Sequence, residues 1–306
     1  MQDEPAIHDA TRRRSFLIGE GEIVARPLDP ALYLVATPIG NLGDVTLRAL
    51  QTLAAADVLA CEDTRVTRNL LSRYGIRQRP VPYHEHNAEA AGARLLALLT
   101  SGRSVALVSD AGTPLVSDPG YRLVGEAIAA GIRVVPIPGA SAPLAALVAS
   151  GLPSDAFFFA GFLPVKDGQR RQRLGELKAI PGTLLFFESP RRLDDSLAAM
   201  ADILGDRQAV VGRELTKTFE EFKRGTLIEL ATHYGDTDAP KGEVVVCVGP
   251  PLAITGAPQD IDRLLLSLAA EMSASKAAAE AARMTGEGKP QLYRRLLELK
   301  ERGGDG

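Results

Sequence analysis

An apolar run of four or five residues, a polar turn bearing Gly or Pro, and an amphipathic stretch recur in that order through the first half of this chain. The runs are 32–36, 58–61, 105–108 and 133–137. The intervening stretches 46–55, 88–99 and 121–130 carry helical spacing, with Leu47, Leu50 and Leu53 on one face of the first. Strands alternating with helices belong in a parallel sheet joined by right-handed crossovers. Such an open α/β sheet binds its ligand beyond the carboxyl ends of its strands.

Residues 109–120 (SDAGTPLVSDPG), directly behind the run 105–108, are the most informative of these turns. Asp110 can accept hydrogen bonds from an amine or from ribose hydroxyls, and Thr113 adds a hydroxyl. Gly112 permits close backbone approach, while Pro114 and Pro119 stiffen the loop.

From about residue 145 the texture changes. The runs 157–160, 183–187, 209–211, 226–230 and 243–248 are β-rich, with helices expected at 169–179 and 192–204. That pattern predicts a second α/β domain with a mixed sheet. Residues 249–259 (GPPLAITGAPQ) read as a linker, and three helices are expected at 260–271, 275–284 and 290–302. The last of these, with Lys289, Arg294, Arg295, Lys300 and Arg302, forms either a helix-turn-helix-like appendage or a capping bundle with a solvated basic face. The expected organisation is an extension over 1–30, partly disordered, domains over 31–145 and 146–250, and a helical appendage over 258–306.

Several classes are disfavoured. Arg12–Arg14 followed by Ser15, Phe16 and Leu17 imitates a twin-arginine export signal, but Gly19-Glu20-Gly21-Glu22 interrupts the apolar stretch such a signal needs. With no run long enough to span a membrane, a soluble cytoplasmic protein is expected. Cys61 and Cys247, far apart and without a nearby His, read as buried thiols in a reducing compartment. A net charge of −3 means that any nucleic-acid contact must come from local basic patches.

Four segments in fixed order carry a family resemblance: 36–44 (ATPIGNLGD), 62–65 (EDTR), 109–120 and 138–141 (PGAS). A fifth, 212–217 (GRELTK), continues into Phe219-Glu220-Glu221. Over about residues 30–250 the chain resembles the ribosomal RNA branch of the tetrapyrrole-methylase superfamily, and more narrowly the bacterial 16S rRNA cytidine 2′-O-methyltransferases acting at the decoding centre. The resemblance implies two α/β domains with a cofactor cleft between them, a small C-terminal helical appendage, S-adenosylmethionine as donor, and a homodimer. It implies a donor cradle of Asp110, Ala111, Gly112, Thr113 and Pro114 with Pro138, Gly139, Ala140 and Ser141. Pro38 and Gly40, in the loop flooring the acceptor side, are counted with the donor-binding residues, and 162–164 belong to a segment closing over the adenine.

Transfer to a ribose hydroxyl is an in-line displacement that requires alignment and help in removing a weakly acidic proton. Glu62, Asp63, Arg65 and Lys217 are the catalytic candidates, with Arg213 and Glu214 beside Lys217. His84 and His86 are a weak metal pair at i,i+2, and no metal is expected. Arg65, Arg68, Arg73, Arg191, Arg192, Arg213 and Lys217 are candidate RNA contacts, with a phosphate expected on the helix start at 190–192. The partner is then 16S rRNA or the assembled small subunit. Rival readings are a methyltransferase acting on a tetrapyrrole or other metabolite, a nucleotide-dependent oxidoreductase, and a non-catalytic ribosome-assembly factor.

Overall fold

The computed structural model describes residues 14–116, 120–251, 258–285 and 287–303. Arg12, Arg13, Ser117–Pro119 and most of the 249–259 linker therefore lie outside the described residues.

The segment expected to be a loose extension contains a hairpin. Strands β1 (Ser15–Ile18) and β2 (Gly21–Val24) pair antiparallel, and Gly19, at φ +59°, makes the turn. The GEGE segment that interrupts the apparent export signal thus has a structural use. Phe16 is buried in the neighbouring core, and Arg14 pairs with Asp57 at 2.9 Å. Burial opposes ionisation of Asp57, but hydrogen bonds from Ser104 and Arg14 hold its carboxyl below the usual range.

The first sheet contains β3 (Leu32–Val35), β4 (Val58–Cys61), β5 (Val81–Pro82), β6 (Val105–Val108) and β7 (Val134–Ile137). Its order is β5-β4-β6-β3-β7, and every pair is parallel, as the alternating pattern implies. Helices α1 (Leu47–Ala55) and α2 (Thr64–Arg73) cover one face, and α3 (Ala88–Thr100) and α4 (Tyr121–Ala129) cover the other. In β6, Ala106 and Val108 pack towards α1 and α2, while Val105 and Leu107 pack towards α3 and α4. Burial on both faces is why these strands read as unbroken apolar runs. The β3–β4 connection runs one way along the sheet and the β6–β7 connection the other, which opens a crevice at the carboxyl ends of β3 and β6.

Helix α5 (Ala142–Ser150) leads into a second sheet of β8 (Phe157–Phe162), β9 (Thr183–Glu188), β10 (Gln208–Arg213), β11 (Glu221–Thr226) and β12 (Val244–Val248). Its order is β11-β10-β12-β9-β8, mixed as expected, with only β8 and β9 parallel. Helices α6 (Asp167–Leu177), α7 (Leu193–Leu204) and α8 (Leu227–Gly235) bury one face. On the other, Ala146 and Leu147 of α5 pack with Leu185, Val210 and Val245, and Ile39 from the first sheet's loop joins them.

The run 226–230 is not a strand. Thr226 ends β11 and caps α8, its hydroxyl accepting from Glu229 N while Glu229 accepts from Thr226 N at 2.8 Å. This reciprocal capping box starts a helix inside an apolar sequence.

Helices α9 (Pro258–Glu271), α10 (Ala274–Thr285) and α11 (Lys289–Gly303) enclose their own small core. Arg295 of the expected basic face is held by Asp262 through two contacts of 2.8 Å. Burial pushes the thiols of Cys61 and Cys247 up to about 11 and about 12. Among the described residues no helix is long and apolar enough to cross a membrane.

Candidate active site

Three loops at the carboxyl ends of β3, β6 and β7 are stitched together. Thr37 and Gly112 exchange backbone hydrogen bonds of 2.9 and 3.0 Å. Thr37 Oγ1 donates to Ser109 O, and Thr113 Oγ1 donates to Ala140 O at 3.2 Å. Gly112 sits at φ +80°, where a Cβ would lie 3.2 Å from Ile39 Cγ2. At Gly139 a Cβ would stand 3.0 Å from that of Ala36. At both glycines a Cβ would be tighter than ordinary contact, and its neighbour would have to give by a few tenths of an ångström.

Two cavities share the wall formed by Ile39, Ala111 and Glu243. The first, of about 400 Å³, is lined by Gly112, Thr113, Ser141 and Pro143 from one side and by Phe162, Phe187, Glu188 and Val245 from the other. That volume and this mix of apolar walls with few polar groups suit a cofactor-sized ligand. The second, of about 280 Å³, is lined by Thr37, Pro38, Gly40, Asn69, Asp110 and Lys217, among others.

Lys217 reaches the second cavity from the β10–β11 connection, its aliphatic chain occupying the space a Cβ on Gly40 would need. Nζ donates to Glu214 Oε1 at 2.9 Å and to Glu243 Oε2 at 3.1 Å. Burial works against its charge, yet these carboxylates outweigh it and hold the ammonium above its ordinary pKa. The Lys217 bond in turn lowers that of Glu214. Glu214 is locked to the start of β12, because Glu243 N donates to its Oε1 at 3.0 Å. Among the described residues the non-glycine positions with positive φ are Leu115, Glu214 and Thr216. All three lie in loops leading to these cavities, and strain of this kind, about 1–3 kcal/mol per residue, gathers at functional sites.

The remaining candidates divide. Asp110 lines the second cavity, not the first, and its Oδ1 accepts from Asp63 N at 2.8 Å, so it braces two loops. Pro114 is buried and Pro138 exposed, and neither lines either cavity, while Gly139 and Ala140 act from behind the wall. Glu62, Asp63 and Arg65 are not brought together with Lys217; they open, with Arg68, onto a third cavity across α2. The Asp63 carboxylate caps α2 through Arg65 N and pairs with the Arg65 guanidinium at 2.6 Å. The Arg65 hydrogen bonds hold it down at about 2, far from the value a base needs at neutral pH.

Arg192 does not flank an open phosphate site. Its Nη2 donates to buried Glu188 Oε1 at 2.5 Å, and Glu188 Oε2 accepts from Ser196 Oγ at 2.6 Å. Arg213 is turned to Glu221 and Lys241 O, whereas Arg73 and Arg191 are exposed. The His84 and His86 rings lie 6.0 Å apart, and among the described residues no three potential metal ligands gather. Glu188, Gly242 and Glu243 are site residues that the sequence pattern does not single out.

Residues 31–231 match the model for Tetrapyrrole (Corrin/Porphyrin) Methylases, and residues 255–300 match that for the RsmI C-terminal HTH domain. The chain is 72% identical over 291 residues to a ribosomal RNA small subunit methyltransferase I from Mesorhizobium japonicum, covering 95% of this chain and 99% of that one. A solved cobalt precorrin-4 methyltransferase aligns with TM-score 0.55 at 18% identity, over 72% of this chain and 95% of its own. A uroporphyrin-III C-methyltransferase from Thermus thermophilus, solved with S-adenosyl homocysteine, aligns with TM-score 0.50 at 21% identity, over 71% and 96%.

Proposed function

The chain belongs to the tetrapyrrole methylase family and, within it, to the ribosomal RNA small subunit methyltransferase I group, and from that premise we propose how its two cavities divide the work. The reaction is transfer of a methyl group from S-adenosylmethionine to the 2′-hydroxyl of a cytidine in 16S rRNA at the decoding centre. The observation that carries this reading is 72% identity along nearly the whole of both chains.

The cavity between Gly112, Thr113, Ser141 and the Phe162–Phe187 wall is assigned to the donor. Its fit is supported by the side-chain-free cradle at Gly112 and by a volume of about 400 Å³. When bound, S-adenosylmethionine supplies an already activated methyl group, so the chain's main task is alignment. The smaller cavity beside Lys217 is assigned to the target ribose. At about 280 Å³ it falls at the low edge of the ~300–1,000 Å³ taken by most ligand pockets, which favours one nucleoside over a four-ring macrocycle. The shared wall of Ile39, Ala111 and Glu243 is where the acceptor oxygen meets the methyl group. Protonated Lys217 stands on the acceptor side, placed to stabilise negative charge developing on that oxygen.

Exposed apolar residues on α4, α5 and β8, including Tyr121, Val148 and Phe157, support a homodimer that covers them. We place the protein in the cytoplasm with its ribosomal substrate. The test is transfer of labelled methyl to purified small subunits lacking their own modification, followed by nuclease digestion and mass spectrometry. A 2′-O-methylcytidine product is expected. Donor binding by calorimetry with no transfer to any ribosomal particle would overturn the RNA assignment and redirect the search to small metabolites.

A further inference from the structure

The largest of the three cavities, about 1120 Å³, belongs to neither the donor nor the target ribose. It lies along edge strand β5, between α2 and α3, and four guanidinium groups line it: Arg65, Arg68, Arg79 and Arg94. Arg65 pairs with Asp63. Arg68, Arg79 and Arg94 are exposed and form no ion pair or hydrogen bond among the described residues. The carboxylates on the lining are Glu62 and Asp63, so positive charge prevails in a chain whose overall charge is −3. His84 lines the same cavity. The floor, from Val81, Pro82, Leu95 and Leu98, is apolar, and a concave low-dielectric wall focuses the field of the arginines.

Helix α2 is the ridge between this cavity and the ribose site. Val66, Asn69 and Leu70 face the ribose cavity, while Thr64, Arg65 and Arg68 face the arginine cavity. The hydrogen bond from Asp63 N to Asp110 joins the rims of the two. One helix is about 10 Å across, within reach of the nucleotides that flank a target ribose. We infer that this cavity is a phosphate groove, which holds the sugar–phosphate backbone of the RNA strand next to the methylated nucleotide. The inference rests on the chain being an RNA methyltransferase. It assigns Arg79 and Arg94, with His84, to the RNA contact alongside Arg65 and Arg68. Contacts of this kind position the substrate without reading its sequence.

The test is the double variant Arg79→Gln/Arg94→Gln, which breaks no ion pair among the described residues. On unmodified small subunits KM should rise about tenfold while kcat stays within twofold, with calorimetric donor affinity and melting temperature unchanged. On a single strand, each phosphate the protein no longer neutralises reduces the slope of log K against log salt by about 0.7, so the slope should become shallower by about 1.4. Between 50 and 200 mM salt the wild-type advantage then shrinks about sevenfold. Arg79→Lys/Arg94→Lys should restore the slope, because the charge is kept. An active wild type whose double variant matches it in KM and salt slope would overturn this inference alone. A wild type that cannot methylate small subunits would overturn the function on which it rests.

Discussion

Gly112→Val is expected to weaken S-adenosylmethionine binding about a hundredfold by calorimetry, with methyl transfer lost in proportion. Gly112 holds φ +80°, which a β-branched residue tolerates worst, and its N–H and C=O are both tied to Thr37. The loop therefore cannot relax without opening the β3–β6 junction that forms the donor wall. A Cβ would meet Ile39 at 3.2 Å and Ala140 O at 3.6 Å, and the two further methyl groups of valine need still more room. Backbone strain alone costs about 1–3 kcal/mol, a fall of several degrees in melting temperature for a domain of this size.

A paired control separates strain from site. Gly102 has nearly the same φ, +82°, at the opposite end of β6, and a Cβ there would find no neighbour within 4 Å. Gly102→Ala and Gly112→Ala should both lower the melting temperature, the latter further because of its contact with Ile39, but only the latter should lose donor affinity, about tenfold. Equal donor affinity in the two alanine variants would show that the donor does not lie against the 109–116 loop.

The loops are legible in the sequence because they are local. An apolar run followed by SDAGTP, or by PGAS, announces a strand and its ligand-facing turn within a few residues, since the unbroken apolar run and the Gly of the turn that follows it are written in adjacent positions. What the sequence conceals is long-range pairing. Nothing near Asp110 signals that its carboxylate is committed to Asp63 N, 47 residues away. Arg192 reads as an exposed phosphate ligand until Glu188 is known to be buried beside it. Arg79, in the loop before β5, and Arg94, on α3, join Arg65 and Arg68 only because α2 and α3 flank β5. At 226–230, β-rich composition hides a four-residue capping signal and, with it, the start of a helix. Glu243 is ordinary in sequence and becomes a site residue by standing opposite Lys217.

Lys217→Met should lower kcat about a hundredfold and leave the donor dissociation constant within twofold. Methionine keeps the aliphatic packing against Gly40 and removes only the charge. Lys217 itself cannot be the base: Glu214 and Glu243, at 2.9 and 3.1 Å, hold its ammonium above the ordinary pKa, so no lone pair is free at neutral pH. The same geometry fits it to the opposite task. A fixed positive group at the rim of a partly closed cavity favours ionisation of a ribose hydroxyl, and deleting one such stabilising group costs about 10²–10³ in kcat. Its carboxylate partners keep the cation in place before substrate arrives, so little reorganisation is needed during reaction. Lys217→Arg keeps the charge but exchanges a compact ammonium for a planar fork, and should recover only part of the rate. Were Lys217→Met instead to raise KM for the small subunit with kcat intact, Lys217 would be a phosphate contact like Arg79, and the stabilisation of the ribose oxygen would have to come from Asn69 or Thr37 across the same cavity.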